Sequence, residues 1–222
     1  MDNVRKALIL AAHPDDETLG CGGTIAKLIS EKCEVHLITF TDGISARNSL
    51  EEHRAAQTRV VCELVEIADY KICNYPDNKL DTVPLLTLVK EIESHIEQHK
   101  FFPDLVLTHS PYCLNIDHRI VYNATITAFR GLAKFVPIKI LSYEVFSSSE
   151  WNPIEKFIPN CYVDISKHFK TKLEMLKCYE SELRDHPHPR NADNIERLAL
   201  LHGSECGLNM AERFMLIREV II

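Results

Sequence analysis

A chain of 222 residues with 45% apolar and 26% charged side chains is long enough for one sizeable core and too evenly mixed for disorder, collagen or a coiled coil. Its 25 Lys and Arg stand against 32 Asp and Glu, a net charge of −7, and no basic stripe is present to neutralise a phosphate backbone or an anionic membrane. Nucleic-acid binding is therefore disfavoured.

The N-terminal apolar run, Ala7 to Ala12, is short and meets His13-Pro14-Asp15-Asp16-Glu17, which argues against a signal peptide; no segment reaches the length of a membrane span. Eight cysteines without a C-x-x-C pair read as reduced thiols, mostly core filler, of a cytoplasmic protein. The run Ala7 to Ala12 has the character of a strand buried on both faces, and a helix is expected from about Thr24 to Glu31. Between them Gly20-Cys21-Gly22-Gly23 reads as a tight loop-to-helix turn. Glu34 to Phe40 is the second predicted strand. Glu51 to Ala68 is a predicted helix with Ala56, Val60, Val61, Leu64 and Val65 along its apolar stripe, and Tyr70 to Tyr75 a third strand. Pro84 suits a first helical position, after which Leu85, Leu88, Val89, Ile92 and Ile96 line one face of a helix ending near His99.

Leu105 to Thr108 is the fourth expected strand, Asp117 to about Ala133 a helix, and Ile138 to Phe146 the fifth strand. This alternation predicts a single three-layer α/β/α domain over residues 1–222, with a mostly parallel, Rossmann-like sheet. Past Ser147 the pattern loosens. A turn-rich stretch leads to a strand at Cys161 to Ile165, then to a helix capped by Ser166 and running to about Leu183. His186-Pro187-His188-Pro189-Arg190 cannot be helical, and Glu212 to Ile222 is read as a closing strand. The part from about residue 147 is expected to complete a substrate pocket, with Trp151, Cys178 and Tyr179 as packing residues.

Ligands in an open parallel sheet bind beyond the carboxyl ends of the strands, and the first strand ends directly in His13-Pro14-Asp15-Asp16-Glu17. Three acids and an imidazole in five residues call for a compensating cation. Imidazole and carboxylate together suit zinc, whose catalytic sites use three protein ligands and one open position. His13 and one Asp supply two ligands. The fourth strand runs out through His109 and a loop to Asn115-Ile116-Asp117-His118, where His118 is the natural third, provided that the first and fourth strands are neighbours. Asp117 either caps the following helix or orients a ligand.

Ala11-Ala12-His13-Pro14-Asp15-Asp16-Glu17 and Asn115-Ile116-Asp117-His118 resemble the two signature motifs of the PIG-L/LmbE-like zinc-dependent N-deacetylases. The similarity continues through Thr41-Asp42-Gly43, Arg54, Pro76-Asp77, Ser142 to Val145, Cys178 to Ser181 and His186 to Arg190, so it covers nearly the whole chain. It implies the LmbE-like deacetylase fold, with His13, Asp16 and His118 on zinc and Asp15 as general base for the metal-bound water. It further implies Arg54 and Asp77 as substrate contacts and an N-acetylated amino sugar as substrate, such as a GlcNAc-type glycoconjugate, losing acetate. Fe2+ in place of Zn2+ stays open on the donor set, and so does a homo-oligomer. Two departures stand out. Many members carry His where this chain has Asn115, whose amide offers only a neutral donor, and related sequences tend to carry Asp at Cys113. His188 is expected to enter the site in place of the missing His, with Arg190 facing an anionic part of the substrate.

Rival readings are weaker on physical grounds. The glycines after the first strand lack the G-x-G-x-x-G spacing, and three acids beside them would repel a pyrophosphate, which disfavours a nucleotide-binding domain. A non-catalytic zinc module would use four protein ligands, often Cys, where this constellation offers three. Another amide hydrolase on the same fold remains the nearest alternative. For Arg54 and His188 the competing readings are a solvated helix face and an exposed loop histidine.

Overall fold

A computed structural model describes residues 4–43, 54–131 and 136–221. The apolar run forms β1 (Lys6–Ala11), followed by α1 (Asp16–Ser30), β2 (Glu34–Thr41), α2 (Arg54–Leu64), β3 (Asp69–Tyr75), α3 (Leu85–His99), β4 (Leu105–His109), α4 (Ile116–Ala128) and β5 (Lys139–Tyr143). Then come β6 (Cys161–Asp164), α5 (Phe169–Cys178), α6 (Ala192–Cys206) and β7 (Ala211–Glu219). The strands form one sheet in the order β3-β2-β1-β4-β5-β7-β6. β1 to β5 are parallel, and β7 runs antiparallel to both β5 and β6. The sheet is mostly parallel, as expected.

Alternate residues of the central strands enter two cores, the consequence of the two-residue side-chain period. Ala7, Ile9, Ala11, Leu37, Leu107 and Tyr143 pack with Ile25 and Leu28 of α1, Val61 of α2, Met175 of α5 and Ile195 of α6. Leu8, Leu10, Ile38, Phe40 and Val106 pack with Leu88, Val89, Ile92 and Ile96 of α3 and Val121 and Ala124 of α4. Helices therefore cover both faces, and β1 is apolar from Ala7 to Ala11 because neither face meets water there.

Several elements differ from the sequence reading. The glycine run is not a turn but lies inside α1, which begins at Asp16 and is interrupted only by the non-helical angles of Cys21. A Cβ on Gly20 would overlap the Tyr143 ring, so that glycine is used for close helix-to-sheet approach. On α2 the inward residues are Thr58, Val61 and Cys62, whereas Val60 and Leu64 are 52% and 47% exposed. The inner face is partly polar because Thr58 Oγ1 receives the Tyr179 hydroxyl at 3.1 Å, which disguised the stripe. Glu51 and Ala133, the expected limits of two helices, lie outside the described residues, as does Ile222; α4 itself stops at Ala128.

Ser166 does not cap α5. Its hydroxyl donates to Asp164 Oδ1 at 2.6 Å, and the helix starts at Phe169 and ends at Cys178, with a short 3-10 turn at Glu180–Glu182. The sequence reading assigned no element to α6, although both ends carry signals: Asn191 accepts from the Asp193 N–H at the start, and Gly207 adopts φ 77° after the end. The eight cysteines are all free, five of them buried. Among the described residues no helix is long and apolar enough to cross a membrane.

Helix α6 buries His202 against the sheet, its ring stacked on Phe146 with centroids 6.1 Å apart and its Nε2 without a hydrogen-bond partner among the described residues. Burial, reinforced by Arg213 and Lys172, pushes its pKa down to about 3 from the ordinary 6.5. The unfolded chain thus takes up the proton first, so this contribution is full above pH 6.5 and is lost as pH falls from 6.5 toward 3. At pH 5 the loss is about 2 kcal/mol, or a Tm drop of about 5 °C for a chain of this size. Thermal unfolding at pH 7.5 and 5.0 is expected to show a smaller drop in His202→Leu than in the wild type; equal drops would mean that the ring is not buried neutral.

Candidate active site

The parallel pairing of β1 with β4, Ala7 opposite Leu105 through Ile9 opposite Leu107, delivers the two motif loops to the same end of the sheet. The neighbour relation on which the third ligand depends is therefore present. Pro14 cannot extend a strand ladder, and Asp15 turns the chain with φ 105° into α1, where Asp16 and Glu17 occupy the helix's first turn and favour its positive end. Asn115 caps α4 by accepting from the Asp117 N–H at 2.8 Å. With the cap supplied by Asn115, the Asp117 carboxylate is free to reach inward. It accepts from the Leu80 N–H at 3.0 Å and lies 3.1 Å from His13 Nε2.

Three donor atoms form a nearly equilateral triangle. His13 Nδ1 lies 3.1 Å from Asp16 Oδ2 and 3.2 Å from His118 Nε2, and His118 Nε2 lies 3.3 Å from Asp16 Oδ2. Metal-ligand bonds of about 2.0 Å in tetrahedral geometry place the ligand atoms about 3.3 Å apart, so the triangle has the dimensions of three corners around a zinc-sized ion. The second oxygen, Asp16 Oδ1, is buried with no partner among the described residues. The outer nitrogens of both imidazoles are engaged: His13 Nε2 by Asp77 Oδ1 at 3.0 Å and by Asp117, and His118 Nδ1 by the Cys113 thiol at 3.1 Å. Ring orientation is set in this way by outer partners.

The electrostatics point the same way. Burial lowers the pKa of His118, but the charges of Asp16 and Cys113 outweigh it and bring it to about 9. His13 is likewise raised, burial being overcome by Asp117, Asp16 and Asp77. Two adjacent buried imidazoles are thus both drawn toward the cationic form, the mark of a site with carboxylate charge in excess. A divalent cation supplies that charge without crowding two protons between the rings.

Asp15 has a different environment. Its Oδ2 lies 2.9 Å from Arg190 Nη1 and 3.5 Å from Arg54 Nη2, and Glu182 holds both guanidinium groups, at 2.8 Å and 2.6 Å. Burial raises its pKa to about 6, against the pull of Arg190 and Arg54. Gly43, at φ 76°, leaves room for Arg54; a Cβ there would come within 2.8 Å of Arg54 Cδ. Beneath Asp15, Glu17 accepts from its N–H at 3.2 Å and from the Tyr179 hydroxyl at 2.8 Å. Burial brings the Glu17 pKa to about 7.

His13, Asp15, Arg54, Asp77, Asn115, His118, His188 and Arg190 all line one cavity of about 270 Å³, while Asp16 and Asp117 lie buried beneath His13. A volume near the lower end of small-molecule pockets suits one sugar-sized group. Arg54 is turned inward, away from solvent, and His188 Nδ1 accepts from the Arg190 N–H at 3.0 Å. The Arg190 guanidinium meets internal carboxylates, Asp15 and Glu182, rather than standing free. Trp151 is not a packing residue: it is 58% exposed at the cavity rim. Sequence reasoning also passed over Glu182, and over His109, whose ring stacks on His118 with centroids 4.0 Å apart and accepts the Ala12 N–H at 2.9 Å. The position of His109, one residue past the predicted fourth strand, was the available signal; Glu182 carried none.

A family model described as GlcNAc-PI de-N-acetylase, PIG-L, matches residues 8–129. A diacetylchitobiose deacetylase of Thermococcus kodakarensis is 26% identical over 230 aligned residues, covering 95% of this chain and 82% of the relative. Among solved structures, the N,N'-diacetylchitobiose deacetylase of Pyrococcus horikoshii superposes with a TM-score of 0.78 at 23% identity, over 97% of this chain and 84% of that one. The 4-carboxy-2-hydroxymuconate hydratase of Pseudomonas putida does so at 0.72 and 18% identity, over 98% of both chains.

The triangle predicts that His118→Ala binds one fewer metal ion per chain than the wild type when both are prepared without chelator or affinity nickel. Elemental mass spectrometry of zinc and iron measures this directly; equal content in the two proteins would exclude His118 as a ligand.

Proposed function

We propose, because the chain belongs to the PIG-L family, that it is a metal-dependent hydrolase that removes the N-acetyl group from an amino sugar and releases acetate. The observation that carries this reading is the triangle of His13 Nδ1, Asp16 Oδ2 and His118 Nε2, with Asp15 opening into the same cavity. Two imidazoles and one carboxylate suit Zn2+, and accept Fe2+ as well. When bound there, the ion supplies Lewis acidity, polarising the acetyl carbonyl and acidifying water.

The remaining steps fall to the chain's own side chains. Asp15, with a pKa of about 6, is ionised at neutral pH yet basic enough to take a proton from the attacking water as its oxygen bonds to the amide carbon. The same carboxyl then passes that proton to the amine nitrogen as the C–N bond breaks, so that acetate and a free amine leave. Arg190 and Arg54, held by Glu182, fix the carboxylate in line with this transfer. His188 accepts at Nδ1 from the Arg190 backbone, which leaves its Nε2–H to donate as a neutral group. Burial and the neighbouring arginines hold its pKa below the ordinary value, so it is suited to stabilising developing negative charge rather than to delivering a proton. Asn115 contributes a second neutral donor, its Nδ2. Asp77 and Asn78 on one wall and the Trp151 face at the rim offer hydroxyl acceptors and a stacking surface to a sugar ring.

On this reading the chain is one domain, its segment from about residue 147 supplying the upper walls of the pocket. The eight free thiols support a reducing compartment, the cytoplasm. Acetate release from N-acetylglucosamine glycosides and N,N'-diacetylchitobiose tests the proposal. Asp15→Asn is expected to lower kcat by about 10²–10⁴-fold with metal content unchanged. His188→Ala is expected to lower kcat by about tenfold or more; full turnover in that variant with an unaltered pH profile would remove His188 from the mechanism.

A further inference from the structure

A second group of ligand-type side chains lies at the opposite end of the sheet. His36 is the third residue of β2, Asp69 the first of β3 and its direct partner across the ladder, while His95 and His99 stand one turn apart at the end of α3. His36 and His95 are buried. Their facing nitrogens, His36 Nδ1 and His95 Nε2, are 2.9 Å apart. Around Asp69 Oδ2 three ring nitrogens converge: His99 Nδ1 at 3.1 Å, His36 Nδ1 at 3.9 Å and His95 Nε2 at 4.0 Å.

Two of those separations are too long for hydrogen bonds. They bracket, with the shorter ones, the spacing of about 3.3 Å between corners of a tetrahedral zinc site. The surroundings fit as well. The other nitrogen of His36, Nε2, lies 3.3 Å from Glu34 Oε1, the carboxylate-imidazole arrangement that orients metal ligands. Phe101 stacks flat on the same ring, 3.6 Å between centroids and 10° between planes. Asp69 and His99 face solvent on one side and give an ion a way in.

We propose that His36, Asp69 and His95, whose facing ligand atoms lie 2.9 to 4.0 Å apart, form a second divalent-metal site of the zinc class. The site has two imidazoles and one carboxylate, a donor set that suits zinc, with His99 Nδ1 beside the carboxylate at 3.1 Å from Asp69 Oδ2. It ties the last turns of α3 to β2 and to the edge strand β3. The inference does not depend on the deacetylase reading, since none of its ligands lines the active-site cavity.

The test counts zinc on the full chain after chelation, refilling with excess zinc and dialysis against metal-free buffer. Wild type is expected to retain two equivalents, and Asp69→Ala and His95→Gln one fewer than wild type each; Asp69 is half-exposed and Gln keeps a polar group at position 95, so these variants are expected to fold. Refilling should raise Tm by about 5 °C or more in wild type and by less in Asp69→Ala. Cobalt in place of zinc should give visible absorption in wild type and lose part of it in His95→Gln. Zinc content that is the same in wild type and in both variants, whatever its value, would overturn the site and leave the cluster as a hydrogen-bonded histidine pair.

Discussion

Two strands decide where chemistry is available in this molecule. From β1 the sheet grows one way through β2 to β3 and the other way through β4 to β5, so the chain reverses its direction of growth between β1 and β4. At such a reversal the helices that follow the two strands depart to opposite faces and leave a crevice between them. Helix α1 packs into one core and α4 into the other. His13 and Asp16 therefore approach from one lip of the crevice and Asp117 and His118 from the other. No single local segment could assemble the three-atom triangle; the parallel register of β1 on β4 does so.

Within that crevice two consecutive aspartates are driven apart. The Asp16 carboxylate, despite full burial, is held well below its ordinary pKa by His118 and His109, whereas burial lifts Asp15 to about 6. Opposite shifts in neighbouring carboxyls keep one firmly ionised and leave the other to titrate near neutral pH. The left-handed backbone at Asp15 makes this separation physical, since it turns the Asp15 side chain toward the arginines while Asp16 faces the imidazoles. A residue with a branched Cβ would resist that conformation. Glu182 completes the arrangement: without it, two guanidinium groups would converge on one carboxylate and depress its basicity further.

Much of this was readable before any coordinates, and the boundary of legibility has a physical basis. β1 and α3 follow from an apolar run and a 3.6-residue period, because β1 is buried on both faces and α3 turns one apolar stripe to the core. The choice of His13, one neighbouring Asp and His118 follows from donor chemistry next to strand ends, and that of Asp16 over Asp15 from the family resemblance alone. Most of the failures involve residues whose role is set by a distant partner. Gly20 looks like a turn until Tyr143 is placed over it, and Thr58 looks like an exposed residue until the Tyr179 hydroxyl reaches it. Glu182 is an anonymous acid in a short turn until Arg54 and Arg190, 128 and 8 residues away in the chain, are brought to either side. Helix α6 is the exception. Its cap and terminal glycine were local signals, passed over because the alternation of strands and helices had already broken down.

The pocket's origins in the chain are uneven. Its floor, the triangle of candidate metal ligands, lies between residues 13 and 118, inside the span matched by the family model. Much of its upper wall, including Ser147, Trp151, Arg184 and His188, comes from beyond residue 129. Floor and wall are thus written in separate stretches of sequence that meet only in three dimensions. Substitutions at wall positions such as Trp151 and Arg184 can reshape the mouth without disturbing the triangle or the cluster of Asp15, Glu182 and Arg190, so the breadth of molecules the cavity admits is free to drift over evolutionary time while its floor is inherited unchanged.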